Sequence, residues 1–149
     1  MPVSDLTDHL GYWLRQVSNH VSHAFARRLA AEDVTVAEWA LLRVAFGEPP
    51  MAPSRIADRM GLTRGAVTKL ADRLIAKGLL QRAPDREDRR AQTLALTAQG
   101  MAFVPRLAAL ADANDAACFA HLPDADREAL ARIIKDMARH FGVTAIAID

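Results

Sequence analysis

Residues 53–100 read PSRIADRMGLTRGAVTKLADRLIAKGLLQRAPDREDRRAQTLALTAQG. Ile56, Ala57 and Met60 fall at helical spacing, and Gly61 then supplies the residue that a tight inter-helix turn needs for a positive φ. Leu62 can plug that turn against a core. Thr63 is an N-cap for a second helix whose Val67, Leu70 and Leu74 recur at three- and four-residue steps, and Gly78 closes it. The opposite face of that helix carries Arg64, Thr68, Lys69, Asp72 and Arg73. Beyond Gly78, residues 79–83 predict a short strand, 84–90 a charged loop, and 91–96 a returning strand with Leu94 and Leu96 on one face.

Two helices, a tight turn and a basic hairpin stand here in the order of a winged helix-turn-helix. A helix with one buried face and a polar, mostly cationic face is what DNA recognition requires, because its first turns reach base edges in the major groove. The hairpin tip, DREDRR, is nearly balanced in charge and is a poor clamp by charge alone. Its use lies in holding one arginine against a narrow A·T-rich minor groove, whose enhanced negative potential accepts a guanidinium.

Charge separates along the chain in the same way. Residues 52–92 hold ten cations and five acids, a local net of +5, and the remaining residues carry −4, although the whole chain is only +1. A basic module joined to an acidic frame is the footprint of a protein that neutralises phosphates with one part only.

The flanking segments read as helices that a winged module does not need. Leu10, Trp13, Leu14, Val17, Val21, Phe25 and Leu29 trace one face of a helix over about residues 7–31. Thr35 and Glu38 form a capping box for a helix ending near Gly47. Thr97 caps a long helix to about residue 120 with a bend expected at Pro105, and Pro123 opens a last helix striped by Leu130, Ile133, Ile134, Met137 and Phe141. Such stripes suit self-association.

At this level of detail the chain resembles the MarR family of bacterial transcription regulators, over its whole length. That family's wing carries Asp-x-Arg before its second strand, matched here by Asp88-Arg89-Arg90 followed by Ala91. The resemblance implies that Arg90 is the minor-groove arginine and Asp88 its orienting partner. It implies that Thr63, Arg64, Thr68, Lys69 and Arg73 face double-stranded DNA. The expected fold is mostly α with a small β-hairpin wing, a single domain over residues 1–149. Residues 35–100 form the winged DNA-binding lobe, and residues 1–34 and 101–149 a helical dimerisation lobe. Two subunits interlock into a homodimer in this reading, with the apolar tail GVTAIAID joining the interface, and two-fold symmetry predicts pseudo-palindromic half-sites about 34–36 Å apart.

Family members also carry a pocket for small phenolic or aromatic acids between the two lobes. Groups that could line one here are Tyr12, Trp13, Arg15, His20, Trp39, Arg43, Phe46, Phe103 and Arg106, with Trp13 and an arginine suited to a planar anion. The competing reading is that Trp13, Trp39 and Phe46 simply fill the core.

Other chemistries find less support. His20 and His23 lack the further ligands of a metal site, so no metal is expected. Cys118 has only apolar neighbours and Asp115 nearby, which argues against a thiol redox sensor. Hydrolase, metalloprotease, P-loop and dinucleotide motifs are missing from the sequence, so neither enzyme activity nor a cofactor is expected. A winged-helix interaction adaptor is a better rival, but it should present apolar anchors where this chain presents Arg64, Lys69 and Arg73. A start without a signal pattern, no long apolar run and a single cysteine predict a cytoplasmic protein that makes no use of membrane.

Overall fold

The computed structural model describes residues 2–148. Helix α1 (Leu10–Ala30) and helix α5 (Ala98–Phe119) run alongside each other, and the amide of Asn114 on α5 donates to the carbonyl oxygen of Val21 on α1 at 3.2 Å. Between them in sequence lie α2 (Val36–Ala45), α3 (Pro53–Met60), α4 (Arg64–Ala76) and the antiparallel strands β1 (Leu80–Pro84) and β2 (Gln92–Leu96). Helix α6 (Asp124–Phe141) closes the order. The architecture is a winged helix-turn-helix flanked by N- and C-terminal helices, as the sequence predicts.

Local chemistry sets most boundaries. The Thr35 hydroxyl accepts from Glu38 N while the Glu38 carboxylate accepts from Thr35 N, each at 3.1 Å, a reciprocal cap at the start of α2. Thr63 and Thr97 cap α4 and α5 through Ala66 N and Gly100 N. Gly61 adopts φ 69° at the end of α3, a conformation that would strain any residue with a Cβ. Gly100 answers a different demand: a Cβ there would collide with the Leu79 carbonyl, where the hairpin root crosses α5.

Four details depart from the sequence expectation. Regular helix begins at Leu10 rather than residue 7, because a 3-10 turn at Leu6–Asp8 precedes it and His9 is extended. The strands run one residue later than expected at their N-terminal ends, with Leu80 paired to Leu96. Met51 adds a short bridge to the wing, exchanging backbone hydrogen bonds with Leu94 at 2.9 and 2.8 Å. Finally, the apolar tail meets the chain's own core, a contact that side-chain spacing does not indicate. It turns back at Gly142 (φ 65°) and lays Ile146 and Ile148 against the chain's own core, with Ile146 N donating to Met60 O at 3.3 Å.

The core lies in the winged lobe, where Leu41, Leu42, Ile56, Met60, Val67 and Leu74 are fully buried with Leu29, Val104 and Leu107 from the roots of α1 and α5. Farther along, α1 leaves Leu10, Trp13, Leu14 and Val17 more than half exposed, and α6 buries none of its residues. Trp13 therefore does not fill the core: its ring meets Tyr12 edge-on at 5.1 Å, and its indole N–H donates to Thr7 O. No helix among the described residues is long and apolar enough to cross a membrane.

Candidate nucleic-acid interface and adjoining cavity

Helix α4 buries Val67, Leu70, Ala71 and Leu74 and leaves Arg64, Gly65, Thr68, Lys69, Asp72 and Arg73 exposed. Its N-terminus is free of acids, so the positive end of the helix dipole and the guanidinium of Arg64 act together. Thr63 spends an acceptor lone pair on its cap, and Thr68 donates its hydroxyl back to Arg64 O at 3.0 Å. Gly65 escaped notice in the sequence. A Cβ at that position would meet only Thr63 Oγ at 4.0 Å, so packing does not require the glycine, and its exposed backbone is open to close approach.

The wing tip is built from two Asx turns. Asp85 Oδ1 accepts from Glu87 N at 2.9 Å, and Asp88 Oδ1 accepts from Arg90 N at 3.0 Å. Asp88 thus orients Arg90 through the backbone amide rather than by an ion pair with its guanidinium. Among the described residues Arg64, Lys69, Arg73, Arg86, Arg89 and Arg90 make no ion pair, whereas Arg59, Lys77 and Arg82 are engaged by Glu48, Glu38 and Asp72. Six exposed cations without an ion pair thus gather on α4 and the wing tip, within the stretch of residues 52–92 that carries a net charge of +5.

Beside α4 lies a cavity of about 770 Å3 between α1, α2 and the tail. Trp39 and Arg43 line it with Phe25, Val44, Ile146 and Ile148 on the apolar side and Ser18, Asn19, Ser22 and His23 on the polar side. Phe25 and Trp39 meet edge-on with centroids 6.5 Å apart. Arg73 reaches this cavity as well, and no acid lines it, so its electrostatic character is set by two guanidiniums and an imidazole. Its size falls within the roughly 300–1,000 Å3 of small-molecule sites.

Only Trp39 and Arg43 of the sequence-derived lining set meet in that cavity. Phe46 sits outside it beneath the Arg43 guanidinium, 5.9 Å from the ring centroid. Arg106 and Phe103 line a separate groove of about 500 Å3, where Glu32 already pairs with Arg106 and Lys77 is held by Asp33 and Glu38. Tyr12, Trp13, Arg15 and His20 line neither space. The pairing of Trp13 with a ligand-binding arginine is thus absent from a single chain, since Trp13 lies near the N-terminal end of α1 on an exposed face, outside both spaces. Phe25 and His23, missed in the sequence, are readable only afterwards as the C-terminal half of the α1 stripe and its flank.

Comparison with known proteins matches residues 32–91 to the sequence profile of the MarR family. A protein named for regulation of the hcr operon in Thauera aromatica is 29% identical over 135 residues, 90% of this chain and 81% of that one. The segment of residues 32–91 belongs to the MarR family of transcriptional regulators. Three regulators from Escherichia coli align over only 57 residues, 34–35% of their own length, at 39–40% identity. In fold, the chain resembles CouR from Rhodococcus jostii bound to p-coumaroyl-CoA, with a TM-score of 0.77 at 24% identity over 97% of this chain and 99% of that one. It also resembles a mutant MarR from E. coli complexed with operator DNA, with a TM-score of 0.75 at 23% identity over 90% and 99% of the two chains.

Proposed function

We propose that the protein is a homodimeric repressor of a pseudo-palindromic operator, released when a small aromatic or phenolic acid enters the larger cavity. The observation that carries the DNA reading is the exposed cationic face of α4, with Arg64, Lys69 and Arg73, in a stretch (residues 52–92) of net charge +5 in a chain of only +1. In this mechanism α4 enters the major groove with Thr63, Arg64, Thr68 and Lys69 foremost, and Arg90 enters the flanking minor groove. A MarR protein of the same fold is complexed with operator DNA, which supports the docking mode.

The ligand reading rests on the composition of the cavity. An apolar wall of Phe25, Trp39 and Val44 facing Arg43, Arg73 and His23, with no acid among them, suits an aromatic body with an anionic group. Arg73 then stands at the junction, on the reading helix yet open to the ligand space. CouR, of the same fold, is bound to an aromatic acyl conjugate, which supports the class. Release needs only that the acid bind better to a dimer with its reading heads differently spaced.

The test is fluorescence anisotropy on the protein's own upstream DNA and a scrambled control, at several salt concentrations, with and without a panel of aromatic acids. Salt-steep binding that prefers the native DNA is expected, with release by an acid that no longer acts on Arg43→Gln. Equal binding to both DNAs would overturn operator recognition. Unchanged release from Arg43→Gln would overturn the anion anchor.

A further inference from the structure

Residues 143–148 touch the cavity and the helix-turn-helix at once. Gly142 and Val143 end α6 by donating to Arg139 O and Ala138 O at 3.1 and 3.0 Å, a glycine-terminated turn that fixes the direction in which the chain departs. Ile146 N then donates to the Met60 carbonyl, an acceptor that the last turn of α3 leaves without an intrahelical partner. Ala145 occupies the space that a side chain on Gly61 would need, 2.6 Å from where its Cβ would lie. One residue on, the other face of the same segment lines the cavity: Ile146, Ala147 and Ile148 lie across from α1, with Trp39, Arg43 and Arg73 beside them.

We propose that this C-terminal segment is a wall of the cavity and carries its occupancy to the turn between α3 and α4. The proposal rests on the cavity being the effector site. Helix α6 buries nothing of its own, so the segment is held by its contacts with Met60, Gly61 and the core rather than by the helix that delivers it. A ligand that displaces Ile146 must also disturb the Met60 contact and the Ala145–Gly61 approach. Those two contacts border the turn that sets the angle of the reading helix. A ligand that prefers the displaced segment shifts the population of turn geometries by its differential affinity, with no contact to DNA.

The test uses Trp13→Phe protein, in which Trp39 is the one remaining tryptophan. It compares the full chain, the chain ended after Gly142, and full-length Ile146→Ser. The two altered chains should quench with acrylamide about twice as steeply and exchange the amides of residues 60–63 about tenfold faster, while still binding DNA. Adding 4-hydroxybenzoate or salicylate should change exchange at 60–63 in the full chain and not in the ended one. Identical quenching and exchange in all three chains would overturn the proposal, and Ile146→Ser decides it should the ended chain not fold. Failure of the effector reading looks different: both altered chains expose Trp39 and loosen the turn, yet neither acid moves the full chain or releases its DNA, which overturns the coupling.

Discussion

Lys77 Nζ lies 2.9 Å from Oε2 of Glu38, an ion pair rather than an aligned hydrogen bond, and 2.5 Å from the carbonyl oxygen of Asp33. Lys77 is the C-cap of α4, Glu38 belongs to the capping box of α2, and Asp33 stands at φ 58° in the connection from α1. One ammonium thus ties the C-terminal end of α4 to the junction between the two lobes. The same contact completes the cap of α2 and fixes the base from which α4 projects.

Burial pushes the Glu38 carboxyl up, but the Lys77 ammonium and the Thr35 backbone and hydroxyl outweigh it and hold the group below its ordinary value. The unfolded chain therefore binds the proton at higher pH than the folded one. The stability this group contributes is present above the ordinary glutamate value of about 4.3 and is lost as pH falls through the lower folded value. Thermal unfolding of wild type and Glu38→Gln should differ above that pH and converge below it. Lys77→Met leaves a buried carboxylate unpaired and should cost about 2–3 kcal/mol, discounted from the fully buried case because Lys77 keeps some water. A parallel pH dependence in wild type and Glu38→Gln would count against the pair.

Gly65 offers a substitution in which stability and function should move in opposite directions. Because a Cβ there meets open space inside the chain, Gly65→Ala should stabilise α4 by about 0.5–1 kcal/mol. If the α4 backbone approaches a phosphate, the same methyl group should weaken operator binding. A raised melting temperature with unaltered anisotropy curves would move the DNA contact away from this turn.

Much of this fold is written in local rules. Gly61, Thr63, Gly78 and Thr97 each act within a turn of their own position, so caps and helix ends were legible from spacing. The cavity was not, because Trp13 and Trp39 occupy equivalent apolar positions on their own helices. Only the packing of α1 against α2 and α5 puts Phe25 beside Trp39 and leaves Trp13 on an open face. The Met51 bridge and the return of Ile146 to Met60 are pairings of backbone groups distant in sequence, and side-chain periodicity carries no signal for either. Arg73 was legible as a polar-face cation, but its neighbours across the cavity were not.

At the wing, the two members of Asp88-Arg89-Arg90 should separate by chemistry. Asp88 acts as an acceptor for Arg90 N, so Asp88→Asn keeps the turn and Asp88→Ala loses it. Operator affinity should follow, nearly retained in the first and reduced in the second. Arg90→Ala should weaken binding and flatten the preference for A·T flanks while leaving the turn intact. Equal losses for Asn and Ala at position 88 would instead favour a role for its negative charge.

The dimer is tested where apolar surface has no partner within the chain. Leu14 and Val17 on α1 are 52% and 54% exposed, Ile133 and Ile134 on α6 are each 47% exposed, and Phe141 is 66% exposed. Burying one such side chain at a subunit interface contributes roughly 1.5–3 kcal/mol, and two-fold symmetry counts each position twice. Leu14→Asp and Ile134→Lys should therefore each convert a dimer to a monomer at micromolar concentration, read by light scattering after size exclusion. Neither residue touches the winged lobe's core, so far-ultraviolet circular dichroism should still report a helical chain. Operator affinity should fall much further than non-specific affinity, because a monomer keeps its phosphate contacts but engages only one half-site. A variant that stays dimeric would direct the interface to another face of α1 or α6, and a wild-type monomer would remove it.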